Sequence, residues 1–256
     1  MTYFSLILSK ISISVISALG LYLSTTLCGQ LSLGSAGFMS LGAYILAFFG
    51  TATGVAAAPI AVFVTTLALG FVLLRLSGDY LAAATLGISE LVRIALTNLS
   101  LLGGAGGYTL TLRIPPSTAV FSAAAVLVFT ALLAKSRLGH LCRATAIDET
   151  AALACGVDTL KLKTLMFAAS CATCAFSGCL YAGSIGFISP NDFGFTRSCE
   201  TLAAVIIGGK NPIAVAACAT ALELLSVLLV GFSERKMLAY AAALLACCYI
   251  RRNRHA

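Results

Sequence analysis

SRLGHLCRATAIDETAALACGVDTLKLK, residues 136–163, is the one long polar interruption in an otherwise apolar chain. With Lys135 just upstream, it carries Lys135, Arg137, Arg143, Lys161 and Lys163, five of the sixteen Lys and Arg residues. The runs on either side, 117–134 and 164–183, read as membrane spans. A chain that is mostly membrane rarely keeps a loop this large without a surface for it to meet.

The rest of the composition agrees. The chain has 256 residues, 60% hydrophobic and 10% charged, with a mean hydropathy of +1.02, whereas soluble domains are about 25% charged. So little polar surface cannot cover so apolar a core in water, so the solvent is lipid. We expect an all-α integral membrane protein, a polytopic helical bundle of about eight spans forming one domain over 1–256. Apolar segments fall near 4–27, 31–50, 55–76, 80–101, 117–134, 164–183, 200–231 and 237–250. Gly208-Gly209-Lys210-Asn211-Pro212 must interrupt the seventh, which predicts two passes joined there. Met1 to Leu27 is one apolar stretch without a cleavage pattern and reads as a span.

Net charge is +7, and its placement sets topology. The basic loop 136–163 and the tail 251–256, with Arg251, Arg252 and Arg254, belong inside by the positive-inside bias and lie near anionic membrane lipid. That places 184–198 outside, 209–212 inside, 232–236 outside, 103–116 outside, 75–79 inside, 50–54 outside and the N-terminus outside. With no basic soluble domain or aromatic platform, nucleic acid is excluded as a partner.

Chemistry of its own is not expected. The ten cysteines include Cys171, Cys174, Cys179, Cys218, Cys247 and Cys248 in apolar runs, where Cys behaves as a small hydrophobe. Cys171 and Cys174 have C-x-x-C spacing but no second pair and no nearby His, so no metal site is read. The two histidines, His140 and His255, lack a nucleophile in context. No G-x-x-x-x-G-K-[ST] loop exists to bind ATP. We expect no catalytic residues, no cofactor and no enzyme.

Three regions depart from plain lipid-facing helix. In 28–37, Gly29, Gln30, Ser32 and Gly34 alternate small and polar residues, which suits either an unwound segment beside a cavity or close helix packing. In 78–98, Glu90 and Arg93 stand three apart on one helical face and predict an intramembrane ion pair. The third, 186–193, carries turn chemistry at Ser189 to Asp192 and is followed by Glu200 and the Gly208-Gly209 break.

Within the loop, Asp148 suits a helix N-cap, Glu149 favours the first turn, and Gly156 is a natural stop. They bracket a two-turn helix over 149–155, too short to stand without packing. Asp158 can cap a second helix that carries Lys161 and Lys163 into the next span.

This loop resembles the cytoplasmic coupling loop of ATP-binding-cassette import permeases, whose signature is E-A-A-x-x-x-G. Ala151, Ala152 and Gly156 match it, with Thr150 in the acidic position and Glu149 one residue earlier. GQLSLG at 29–34 followed by AGF and LGAY, GDYLAAATLGISELVR at 78–93, SRLGHLCRA, DETAALACGV, GFISP and VIIGG come in the order of the LivM branch of branched-chain amino acid permeases. The likeness runs from about Leu19 to Arg252. It departs at Ser35, where that branch commonly has His, and longer relatives carry a further N-terminal span.

The resemblance implies the ABC importer permease fold and half of a membrane pathway for branched-chain amino acids in the bacterial inner membrane. Implied partners are a second, LivH-like permease subunit, two cytoplasmic ATPase subunits that bind the ATP, and a periplasmic or lipid-anchored substrate-binding protein. Asp148, Glu149, Ala151, Ala152 and Gly156 would couple to an ATPase, and substrate would pass near Gly29, Gln30, Ser32, Gly34, Gly208 and Gly209. A urea or amide permease of the same branch, a stand-alone secondary transporter or channel, and a non-transporting copy remain open.

Overall fold

A computed structural model describes residues 3–228, apart from 52, 77, 100, 101 and 111. The expected span at 237–250, the turn at 232–236 and the basic tail lie outside the described residues. Among the described residues ten α-helices follow one another: α1 (Tyr3–Tyr22), α2 (Ser35–Phe49), α3 (Thr53–Leu73), α4 (Asp79–Asn98), α5 (Pro116–Lys135), α6 (Arg137–Ile147), α7 (Glu149–Ala154), α8 (Thr159–Ile185), α9 (Phe195–Gly208) and α10 (Pro212–Leu228). A five-residue π-helical turn, Leu23–Leu27, continues α1.

Among the described residues, five helices are long and apolar enough to cross a membrane: α1 with its π-turn, α3, α4, α5 and α8. The expected count of about eight spans is therefore met only in part. The segments expected at 31–50 and 200–231 form shorter helices, because their glycine- and proline-bearing ends unwind. α2 has 15 residues and α9 has 14, about 22 Å and 21 Å at 1.5 Å per residue, short of a bilayer's hydrocarbon core.

The long α8 is the axis of the bundle, and α1, α2 and α3 pack around it. Two-thirds of α8 is buried, against 22% of α3 and 17% of α5, which separates the central helix from the lipid-facing ones. The outer faces carry large apolar side chains such as Phe121, Phe129, Leu132, Leu91 and Val72, a surface that lipid covers without cost. Where α2 crosses α8, a Cβ added at Gly42 would overlap the Ala175 carbonyl, and one at Gly178 the Met39 carbonyl. Glycine is what lets these two backbones approach, as small residues do in membrane bundles.

At the end of α8 away from the loop, β1 (Tyr108–Thr109) and β2 (Phe187–Ile188) pair antiparallel. The 3-10 turn Pro190–Phe193 follows, closed by a capping box between Ser189 and Asp192. The two-residue strands tie the α4–α5 connection to the α8–α9 connection without altering the all-helical class.

Candidate functional site

The loop folds as three helices. Ser136 caps α6, its Oγ accepting from the Gly139 N–H at 3.4 Å; sequence reading gave this stretch only as a basic anchor. Asp148 ends α6 and starts α7. Its Oδ1 accepts from the backbone N–H of Thr150 at 2.9 Å and of Ala151 at 3.1 Å, and from the Thr150 hydroxyl at 2.6 Å. These donors hold the Asp148 carboxyl below its ordinary range, the Thr150 hydroxyl contributing most. Thr150, in the position where the signature has an acid, therefore reinforces the cap.

α7 closes at Gly156, whose φ of +82° is left-handed and costs a residue with Cβ extra backbone energy. The N–H groups of Gly156 and Val157 donate back to Leu153 O at 2.9 Å and Ala152 O at 3.1 Å. Asp158 then caps α8, accepting from Lys161 N–H at 3.2 Å. Both caps and the stop lie where the sequence put them.

One contact was not foreseen. Glu149 Oε2 lies 2.6 Å from Lys163 Nζ, across the loop on α8. Lys163 holds the Glu149 carboxyl below its ordinary range. The Lys163 side chain is 18% exposed and that of Glu149 47%, so the pair is buried on its lysine side. Sequence spacing could not show it, because the partners meet only after the chain turns at Gly156.

The pair stands at a cleft of about 480 Å³ that Gly29, Gln30, Arg75, Gly78 and Thr145 also line. Here the chain between the π-turn and α2 is unwound from Gly29 to Gly34. Side chains replace the missing helical hydrogen bonds: Leu33 N–H donates to Thr85 Oγ1 at 3.0 Å, and Ala36 N–H to Ser198 Oγ at 3.2 Å. Ser32 Oγ accepts from Gly34 N–H at 3.4 Å. Gln30 is 5% exposed, and neither its amide oxygen nor its nitrogen has a partner among the described residues. Both readings of 28–37 hold in part: Gly29 to Gly34 unwinds beside a cavity, while Gly37 packs against Ser89 of α4.

Gly208 and Gly209 line a separate cleft of about 630 Å³ with Thr25, Thr26, Lys210 and Asn211. Thr25 and Thr26 belong to the π-turn, and such turns recur at functional sites. Tyr22 OH donates to Lys210 O at 2.8 Å, fixing the α9–α10 turn to the end of α1. Glu90 and Arg93 do pair, at 2.7 Å, and Arg93 also donates to Asn191 Oδ1 at 3.3 Å. They line none of these clefts.

The family model for the branched-chain amino acid transport system permease component matches residues 3–248. The chain belongs to this family. Two relatives, each described as the high-affinity branched-chain amino acid transport system permease protein LivM, come from Salmonella typhimurium strain LT2 and Escherichia coli strain K12. Each is 33% identical over 269 residues, covering 88% of this chain. The chain spans 63% of the length of these relatives. No solved structure matches. As a member of this permease family with five helices among the described residues long and apolar enough to cross a membrane, it is a multi-pass protein of the bacterial inner membrane.

Proposed function

We propose that the chain is half of the membrane pathway of an ATP-driven importer for branched-chain amino acids. A second, LivH-like permease subunit forms the other half, two cytoplasmic ATPase subunits bind the ATP, and a periplasmic or lipid-anchored protein delivers substrate. The chain forms one permease domain and performs no catalytic step itself.

The observation that carries this reading, beside the family match, is the placement of α7. It is a capped helix on the protein surface, with only Ala152 buried, and it is tied by Glu149–Lys163 to the central helix. Ile147 and Leu153 are 87% and 53% exposed beside it. Apolar side chains standing out of a charged loop suit a protein groove better than water. An ATPase that closes on ATP would move α7, and Lys163 would pass that motion to α8 and the helices around it. Substrate would move past the unwound segment at Gly29, Gln30, Ser32 and Gly34 and the break at Gly208 and Gly209.

The test is amino acid uptake by membrane vesicles holding the full assembly. Gly156→Arg meets no clash, but it forces an unfavourable backbone and a charge onto the end of α7. Insertion at the normal level with uptake abolished is expected. Normal uptake by this variant would sink the coupling role of α7.

A further inference from the structure

About 33 Å along α8 from its loop end, near Tyr181, a third cleft of about 260 Å³ opens at the opposite end of the bundle. Five ionisable side chains from four elements converge on it: Lys10 of α1, Asp192 of the 3-10 turn, Arg197 and Glu200 of α9, and Glu223 of α10. Few sites in so apolar a chain collect this much charge. Ionisable groups within a membrane bundle are costly and mark functional sites by default.

The charges are unevenly matched. Arg197 Nη1 lies 3.1 Å from Glu200 Oε2 and 3.5 Å from Glu223 Oε2, so one guanidinium faces two carboxylates. Glu223 is 8% exposed. Asp192 uses one oxygen for the Ser189 N–H at 3.1 Å. Lys10 has no ion-pair partner among the described residues. The carboxylates on the α9–α10 side thus outnumber the cation there, while a lysine stands on α1. Met39, Phe193 and Tyr181 line it too, with the hydroxyl residues Thr196 and Ser226, and the Phe193 and Tyr181 rings are in edge contact at 5.4 Å.

We propose that this cleft is a docking site for an aliphatic α-amino acid zwitterion on the side away from the ATPases. The ligand ammonium meets the carboxylates of Glu200 and Glu223, its carboxylate meets Lys10, and its side chain lies against Met39, Phe193 and Tyr181. A simple anion would face an excess of carboxylates, and a simple cation would leave Lys10 unmatched. The cleft has room for a small aliphatic amino acid. The inference rests on reading the chain as an amino acid permease and names a site within that reading.

Saturation-transfer NMR on the full permease assembly, with leucine, leucinamide and 4-methylpentanoate as probes, tests it. Leucine is expected to contact the protein, and the two singly charged analogues at least tenfold more weakly. Lys10→Ala and Glu223→Gln should each reduce the leucine contact by a similar factor. Lys10 is exposed and has no ion-pair partner among the described residues, so its variant is expected to fold even if loss of Glu223 disturbs Arg197. Contact unchanged in the Lys10 variant, or equal for leucine and leucinamide, overturns the assignment. Uptake by the wild-type assembly is followed in parallel: normal uptake beside such a result removes only this site, and absence of uptake removes the functional reading with it.

Discussion

Asp148 concentrates three hydrogen bonds on one carboxylate oxygen, and the whole of α7 depends on it. An N-cap of this kind contributes about 1 kcal/mol, so Asp148→Ala should speed amide exchange at Thr150 and Ala151 about fivefold, and Asp148→Asn should restore most of the protection. Hydrogen exchange followed by mass spectrometry reads both. Glu149 gives a pH prediction with a definite sign. Its carboxyl is held below the ordinary value, so the stabilisation is complete above about pH 4.3, where the free side chain ionises. It is lost as pH falls through the lower folded value. A spin label on exposed Cys155 should keep its mobility between pH 8 and pH 5 and gain mobility only in stronger acid. In Glu149→Gln the label should be mobile throughout.

The unwound segment and the α2–α8 crossing are matters of whole elements. Thr85 Oγ1 accepts the Leu33 N–H deep in the bundle, where a lost partner costs about 1–3 kcal/mol. Thr85→Val should lower the melting temperature in detergent, while Thr85→Ser should not. At the crossing, Gly178→Val forces α2 and α8 apart and should destabilise by about 1–3 kcal/mol or more. Gly87 is a control within α4. Nothing lies within 4 Å of a Cβ there, so Gly87→Ala should be neutral or stabilise by up to about 1 kcal/mol. Thermal denaturation of the four variants side by side decides whether packing or helix propensity dominates. The sequence offered both readings of this glycine-rich region because packing and unwinding use the same small residues. Which glycine does which depends on what faces it.

For the whole molecule, the central prediction is topological. If the loop lies inside and the β1–β2 end outside, a membrane-impermeant thiol reagent should modify Cys155 in inside-out vesicles and spare it in right-side-out ones. The arrangement has α8 as an axis joining the two ends. The Glu149–Lys163 ion pair sits at one end and the charged cleft near Tyr181 at the other.

Sequence alone fixed much of this. Apolar runs marked the spans because lipid leaves no other solution, and the local caps at Asp148, Asp158 and Gly156 were legible because each is made within a few residues. The Glu90–Arg93 pair was legible for the same reason, being one helical turn apart. Other features came only from tertiary structure. Glu149 with Lys163, Thr85 under Leu33, and Arg197 with Glu223 join partners from different elements or across a turn. The shortening of α2 and α9 was hidden too, since hydropathy measures how apolar a segment is and not where its backbone stops being helical. Periodicity and capping are local physics, whereas the clefts exist only where separate helices meet.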